Sequence, residues 1–81
     1  RHMLRPIVTP QQRAAQQQLG MLSPREREVA ELVAQGLTNA EIAQRLTIAA
    51  DSVKKNVTRI LGKLNLRDRV QLVILLRDAQ P

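Results

Sequence analysis

Six basic side chains crowd into about a quarter of this chain. Across residues 50–69, Lys54, Lys55, Arg59, Lys63, Arg67 and Arg69 stand against only Asp51 and Asp68, a local balance of +4 in a sequence whose total is +6. On a helix turning 100° per residue, Asp51, Lys55, Thr58 and Gly62 fall on one side, flanked by Lys54 and Arg59. Val53, Val57, Ile60, Leu61 and Leu64 fall on the opposite side. A cylinder that is apolar behind and cationic in front can be fixed to a scaffold while it presents donors to an anion. Its charges would displace counterions from a polyanion such as duplex DNA, whose major groove admits one α-helix.

The flanking sequence supplies the scaffold. Ser23-Pro24-Arg25-Glu26 places Ser at an N-cap, Pro at N1 and Glu at N3, a capping box. A helix over 24–35 follows, with Val29, Leu32 and Val33 as its apolar face, Met21 or Leu22 as a staple contact, and Gly36 as a left-handed stop. Thr38-Asn39-Ala40-Glu41 is a second capping box. It opens a helix of barely two turns with Ile42, Ala43 and Leu46 inward, too short to persist alone. Thr47-Ile48-Ala49 is a tight connection with Ile48 as its core plug, and the amphipathic helix spans 50–64, ending at Asn65. A last helix over 67–79 carries Val70, Leu72, Val73, Ile74, Leu75 and Leu76, apolar nearly all round. Arg69 is placed to pair with Glu26 or Glu28.

This is an all-α, four-helix domain over residues 22–79 behind a disordered or loosely helical N-terminal tail. Residues 1–21 read as that tail or linker. Arg1-His2-Met3 looks like a cloning remnant, and the Gln-rich run 11–18 shows no apolar stripe with which to dock.

Composition narrows the function. The sole histidine is His2, there is no cysteine, and no Gly-rich phosphate loop or metal-ligand cluster occurs, so no cofactor, metal or catalysis is expected. Glu26 and Glu28 are two apart on a helix and do not face each other. No apolar run approaches the roughly 20 residues of a membrane span, which places the protein in the cytoplasm. With no Phe, Tyr or Trp among 81 residues, base stacking on aromatic rings, the usual mode for single strands, is unsupported. Duplex DNA is therefore the favoured partner.

The ordered motifs Leu22-Ser23-Pro24-Arg25-Glu26-Arg27-Glu28-Val29, Gly36-Leu37-Thr38-Asn39-Ala40-Glu41-Ile42-Ala43, Ser52-Val53-Lys54-Lys55-Asn56-Val57, Ile60-Leu61-Gly62-Lys63-Leu64 and Asp68-Arg69 resemble the LuxR-type (NarL/FixJ) DNA-binding domain. The resemblance implies a helix-turn-helix effector of a bacterial transcription regulator, in the setting of a two-component response regulator, with helix 50–64 in the major groove. It implies base contacts from Lys54, Lys55, Thr58 and Asp51, and phosphate contacts from Thr38, Asn39, Ser52, Asn56, Arg59 and Lys63. It further implies a homodimer through helix 67–79, with Leu72, Leu75 and Leu76 at the interface, and a receiver or sensor domain upstream. The chain departs from the family at Ala49, Ser52 and Asn56, where Ser, Thr and His are usual. Losing the Ser N-cap costs the helix about 1 kcal/mol. Gly62 costs a further ~1 kcal/mol, which close approach of another backbone would explain. Two alternatives stay open: a promoter-binding module like region four of a sigma factor, and a helical protein-interaction module that uses the last helix.

Overall fold

The computed structural model describes residues 7–80, so Arg1-His2-Met3 and His2 of the sequence reading lie outside the described residues. Five helices follow one another: α1 (Pro10–Leu19), α2 (Pro24–Ala34), α3 (Asn39–Leu46), α4 (Ala50–Leu64) and α5 (Arg69–Ala79). The all-helical architecture is as the sequence led one to expect, and the bounds of α2, α3 and α4 agree to within a residue.

Three helices open with reciprocal capping boxes. Ser23 Oγ accepts from the Glu26 N–H at 3.2 Å while the Glu26 carboxylate accepts from the Ser23 N–H at 2.9 Å. Thr38 and Glu41 repeat the exchange at 3.2 and 2.8 Å, and Thr9 and Gln12 at 3.1 and 2.8 Å. Asp68 caps α5 by accepting from the Gln71 N–H at 3.0 Å. Among the described helices only α4 lacks a side-chain cap, since Ala49 offers none.

Three helices also stop alike, each on a left-handed residue followed by an apolar one whose N–H reaches back five residues. Gly36 has φ +90, and the Leu37 N–H bonds to Leu32 O at 3.2 Å. Thr47 (φ 57) precedes Ile48, bonded to Ala43 O at 3.0 Å, and Asn65 (φ 55) precedes Leu66, bonded to Leu61 O at 2.9 Å. Ile48 and Leu66 then pack on the core, so each stop also pins a turn.

The core is entirely aliphatic. Val29 and Val33 of α2, Ile42 of α3, Val53 and Ile60 of α4, and Leu72 of α5 are essentially inaccessible to solvent. Leu22, rather than the exposed Met21, packs against it at the start of α2.

The N-terminal segment is where the structure departs from the sequence reading. Residues 10–19 form a regular helix that packs on α5, burying Ala15 and Leu19, instead of a loosely helical tail. Gln16 Nε2 donates to Ala79 O at 2.9 Å, and Gln12 Nε2 donates to Gln80 O, so α1 also satisfies carbonyls at the end of α5. The apolar stripe that seemed absent consists of two residues four apart, which suffices because the neighbouring helix supplies the rest of the surface.

The three leucines assigned to a dimer interface also require correction. Leu72, Leu75 and Leu76 are buried in the chain's own core together with Ala79, at the 3–4 spacing that puts them on one inward stripe. The apolar residues that α5 exposes are Val70 and Ile74.

Candidate nucleic-acid interface

α3, the Thr47-Ile48-Ala49 turn and α4 form a helix-turn-helix unit, and its geometry follows from where α4 is greasy. Val53, Val57, Ile60 and Leu64 recur at intervals of four, three and four and are all at most 8% exposed. That seam holds α4 against α2 and α3 and turns the rest of its circumference outward. Asp51, Lys54, Lys55, Thr58 and Arg59 emerge together there, lining a single shallow, open depression. All five are exposed. The structure thus brings together every residue expected to read base edges, with Arg59 beside them.

Within this group Lys55 Nζ lies 3.4 Å from Asp51 Oδ2, one helical turn away, with both side chains about three-quarters exposed. Among the described residues neither Lys54 nor Arg59 lies within salt-bridge distance of a carboxylate. Their charges face solvent.

The expected phosphate contacts divide. Ser52 is exposed on α4. Asn56, by contrast, folds back on its own helix, donating Nδ2 to Ser52 O at 2.9 Å. The Thr38 N–H is already occupied by the Glu41 carboxylate. Asn39 Oδ1 accepts from Arg69 Nη1 at 2.6 Å.

Lys63 departs most from expectation. Its ammonium sits 2.7 Å from Glu26 Oε1, a carboxylate whose side chain is only 4% exposed. The Lys63 hydrogen bond, more than any other influence, holds the Glu26 carboxyl below its ordinary pKa of 4.5, and the Ser23 N–H adds to it against an opposing cost of burial. Lys63 is therefore a structural strut between α4 and α2. Arg69, expected to pair with Glu26 or Glu28, instead bonds Asn39 Oδ1 and donates Nη2 to Leu37 O at 2.6 Å. It satisfies a turn carbonyl at the α2–α3 junction. Two of the six clustered cations are thus tethered to groups on other parts of the chain, and the remaining outward charge belongs to Lys54, Lys55, Arg59 and the exposed Arg67.

Sequence reasoning passed over the Asp51–Lys55 pair, although its four-residue spacing was visible. It also passed over the exposed Val70 and Ile74. The Glu26–Lys63 contact joins residues 37 positions apart, and no local pattern announces it.

A Cβ added at Gly62 would meet nothing within 4 Å among the described residues, so no neighbouring backbone among them requires a glycine.

Comparison with known proteins gives the geometry its setting. Residues 20–76 match the family described as bacterial regulatory proteins, luxR family. The chain is 37% identical over 75 residues to the nitrate/nitrite response regulator protein NarL of Escherichia coli, covering 88% of this chain and 35% of that protein. It is 38% identical over 74 residues to the two-component response regulator PprB of Pseudomonas aeruginosa, covering 91% of this chain and 27% of that one. An HTH-type transcriptional regulator of Mycobacterium bovis is 46% identical over 54 residues, 67% of this chain and 6% of that protein. The chain therefore spans about a third or less of the length of these relatives. The family match selects the LuxR-type reading over the sigma-factor one.

Proposed function

Because this chain belongs to the luxR family of bacterial regulatory proteins and is a DNA-binding effector domain of that kind, we propose that it binds duplex DNA sequence-specifically with α4 in the major groove. The observation that carries this reading is the division of α4. Four core side chains fix its back, and five polar or charged ones stand together on its front. In this reading Lys54, Lys55 and Thr58 meet base edges, with Asp51 beside them near the inserted N-terminal end of the helix. Arg59, Ser52 and Asn39 meet phosphates. The role is binding and not catalysis.

The same reading makes the chain the effector part of a longer regulator working in the cytoplasm, under a receiver or sensor domain, as the two response-regulator relatives support. No helix among the described residues is long and apolar enough to cross a membrane. Two copies would meet through α5, using Val70 and Ile74, which lie one turn apart and are 64% and 46% exposed. That pairing would set two α4 helices on successive half-sites.

Selection of bound oligonucleotides from a random duplex pool, followed by titration across salt concentrations, tests the proposal. A recurrent motif together with affinity that falls steeply with salt is expected. Equal affinity for all duplexes would leave α4 without a reading role, and salt-independent binding to protein or lipid would favour an interaction module.

A further inference from the structure

A carboxylate on a face otherwise built to approach phosphates needs a reason. Asp51 does not cap α4, whose N-cap position is Ala49 with no side-chain hydrogen bond. It is turned instead toward Lys55, 3.4 Å away, and an exposed pair of this kind adds little stability in water. Near phosphates the negative charge is unfavourable, so Asp51 must meet a donor if it approaches DNA at all. The major groove holds only two kinds of donor, the cytosine N4 and adenine N6 amino groups.

The partner of the pair decides between them. A G·C pair presents guanine N7 and O6 as acceptors and then, immediately beside O6, the cytosine N4 amino group. Because O6 and N4 are themselves hydrogen-bonded, they lie about 3 Å apart, close to the separation of the Lys55 and Asp51 end groups. An A·T pair presents acceptor, donor and acceptor in turn, followed by a methyl group. In either orientation such a pair gives the ammonium a single acceptor beside the amino donor, adenine N7 or thymine O4, where guanine gives it two, N7 and O6.

We propose that Asp51 and Lys55 act as one composite reader of a single G·C base pair, Lys55 donating to guanine O6 and N7 while Asp51 accepts from cytosine N4. Guanine lies on the Lys55 side, so the pair also distinguishes G·C from C·G. This rests on α4 occupying the major groove and goes further by naming what two of its residues recognise.

The 81-residue chain and its Asp51→Ala, Lys55→Ala and Lys54→Ala variants are each taken through duplex selection and then titrated against the four base pairs at every selected position. The parent chain is expected to prefer G·C at one position by roughly 5- to 150-fold over the other pairs. Asp51→Ala and Lys55→Ala should both relax that same position, while Lys54→Ala leaves it intact. Both residues are exposed, and the helical circular dichroism of each variant confirms that the fold survives. Relaxation of two different positions, no relaxation in Asp51→Ala, or a shared position that is A·T overturns the composite reader while leaving the groove reading in place. A parent chain that prefers no sequence overturns both.

Discussion

Arg59 and Lys63 lie four residues apart on one helix, carry the same charge and are both exposed, yet the structure gives them different surroundings. Arg59 has no carboxylate within salt-bridge distance among the described residues, whereas Lys63 is held on Glu26 at 2.7 Å. Each phosphate neutralised on B-DNA contributes about 0.9 to the slope of log affinity against log salt. Arg59→Ala should therefore flatten the slope by about 0.9 per bound chain. Raising salt from about 50 to about 200 mM would then cost the variant roughly 3.5-fold less affinity than it costs the parent, or roughly twelvefold less if two chains share a site. The loss at fixed salt should be similar on every sequence. Lys63→Ala should leave the slope unchanged. Its consequence is instability of about 1 kcal/mol, kept modest because the Lys63 side chain is 40% exposed and its charge partly screened. Fluorescence anisotropy titrations on one labelled duplex at five salt concentrations, paired with urea unfolding of each variant, resolve both quantities. Equal flattening by the two substitutions would mean that Lys63 leaves Glu26 for a phosphate, and the division of labour between the two cations would be refuted.

Four further outcomes follow from particular contacts. Leu19→Ala should destabilise the chain by about 2–4 kcal/mol, because a leucine 1% exposed leaves a cavity between α1 and α5; a loss under about 0.5 kcal/mol in chemical denaturation would show that α1 contributes nothing to the domain. Gly62→Ala should stabilise by about 1 kcal/mol and raise Tm by roughly 4–8 °C, since the added methyl meets open space and the helix gains propensity; calorimetry showing no gain refutes it. Glu26 has a folded-state pKa below its ordinary 4.5, so its contribution is complete above that value and disappears as pH falls through the depressed folded value. Glu26→Gln should accordingly lose stability at pH 7 and show a flatter acid limb than the parent, measured by urea midpoints from pH 7 downward; parallel acid limbs would exclude the carboxylate. Ile74→Glu should abolish any dimer seen by sedimentation without lowering Tm, and a dimer that persists would exclude this face of α5.

Much of this arrangement could be read from the residues in order. Pro24 after Ser23 with Glu26 beyond, and Thr38 with Glu41, mark two helix starts by local hydrogen-bond chemistry, and the Val53-Val57-Ile60-Leu64 spacing fixes which side of α4 is buried. The start of α1 carried the same signature, Thr9-Pro10 with Gln12 at N3. The helix is nonetheless hard to read from the sequence, because two inward residues, Ala15 and Leu19, make too narrow a stripe beside so many glutamines. The inward set of α5 was available from the rule applied to α4, since Leu72, Leu75, Leu76 and Ala79 follow 3–4 spacing. Val70, Val73 and Ile74 blurred that pattern by making the helix apolar nearly all round. The tethers of Lys63 and Arg69 could not be read at all. They depend on which side of α2 meets the end of α4, and on a turn carbonyl that becomes available only once α2 has stopped at Gly36.

The helix proposed to do the reading is also the one with the weakest claim to be a helix. Ala49 in place of a capping side chain costs about 1 kcal/mol, Gly62 costs about another, and Thr47 holds a β-branched residue in the left-handed region at φ 57 just before it. Against these stand Val53, Val57, Ile60 and Leu64, each at most 8% exposed, and burial of an aliphatic side chain contributes about 1.5–3 kcal/mol. Four such contributions exceed the local losses several-fold, so α4 is held by its back and not by its own propensity. That leaves the front free to carry residues chosen for something other than helix stability. Within α4 the local rules are broken at its N-cap and on its outward face, and nowhere along its buried seam. Such a distribution is expected when the side chains of a front are selected by what they contact in another molecule.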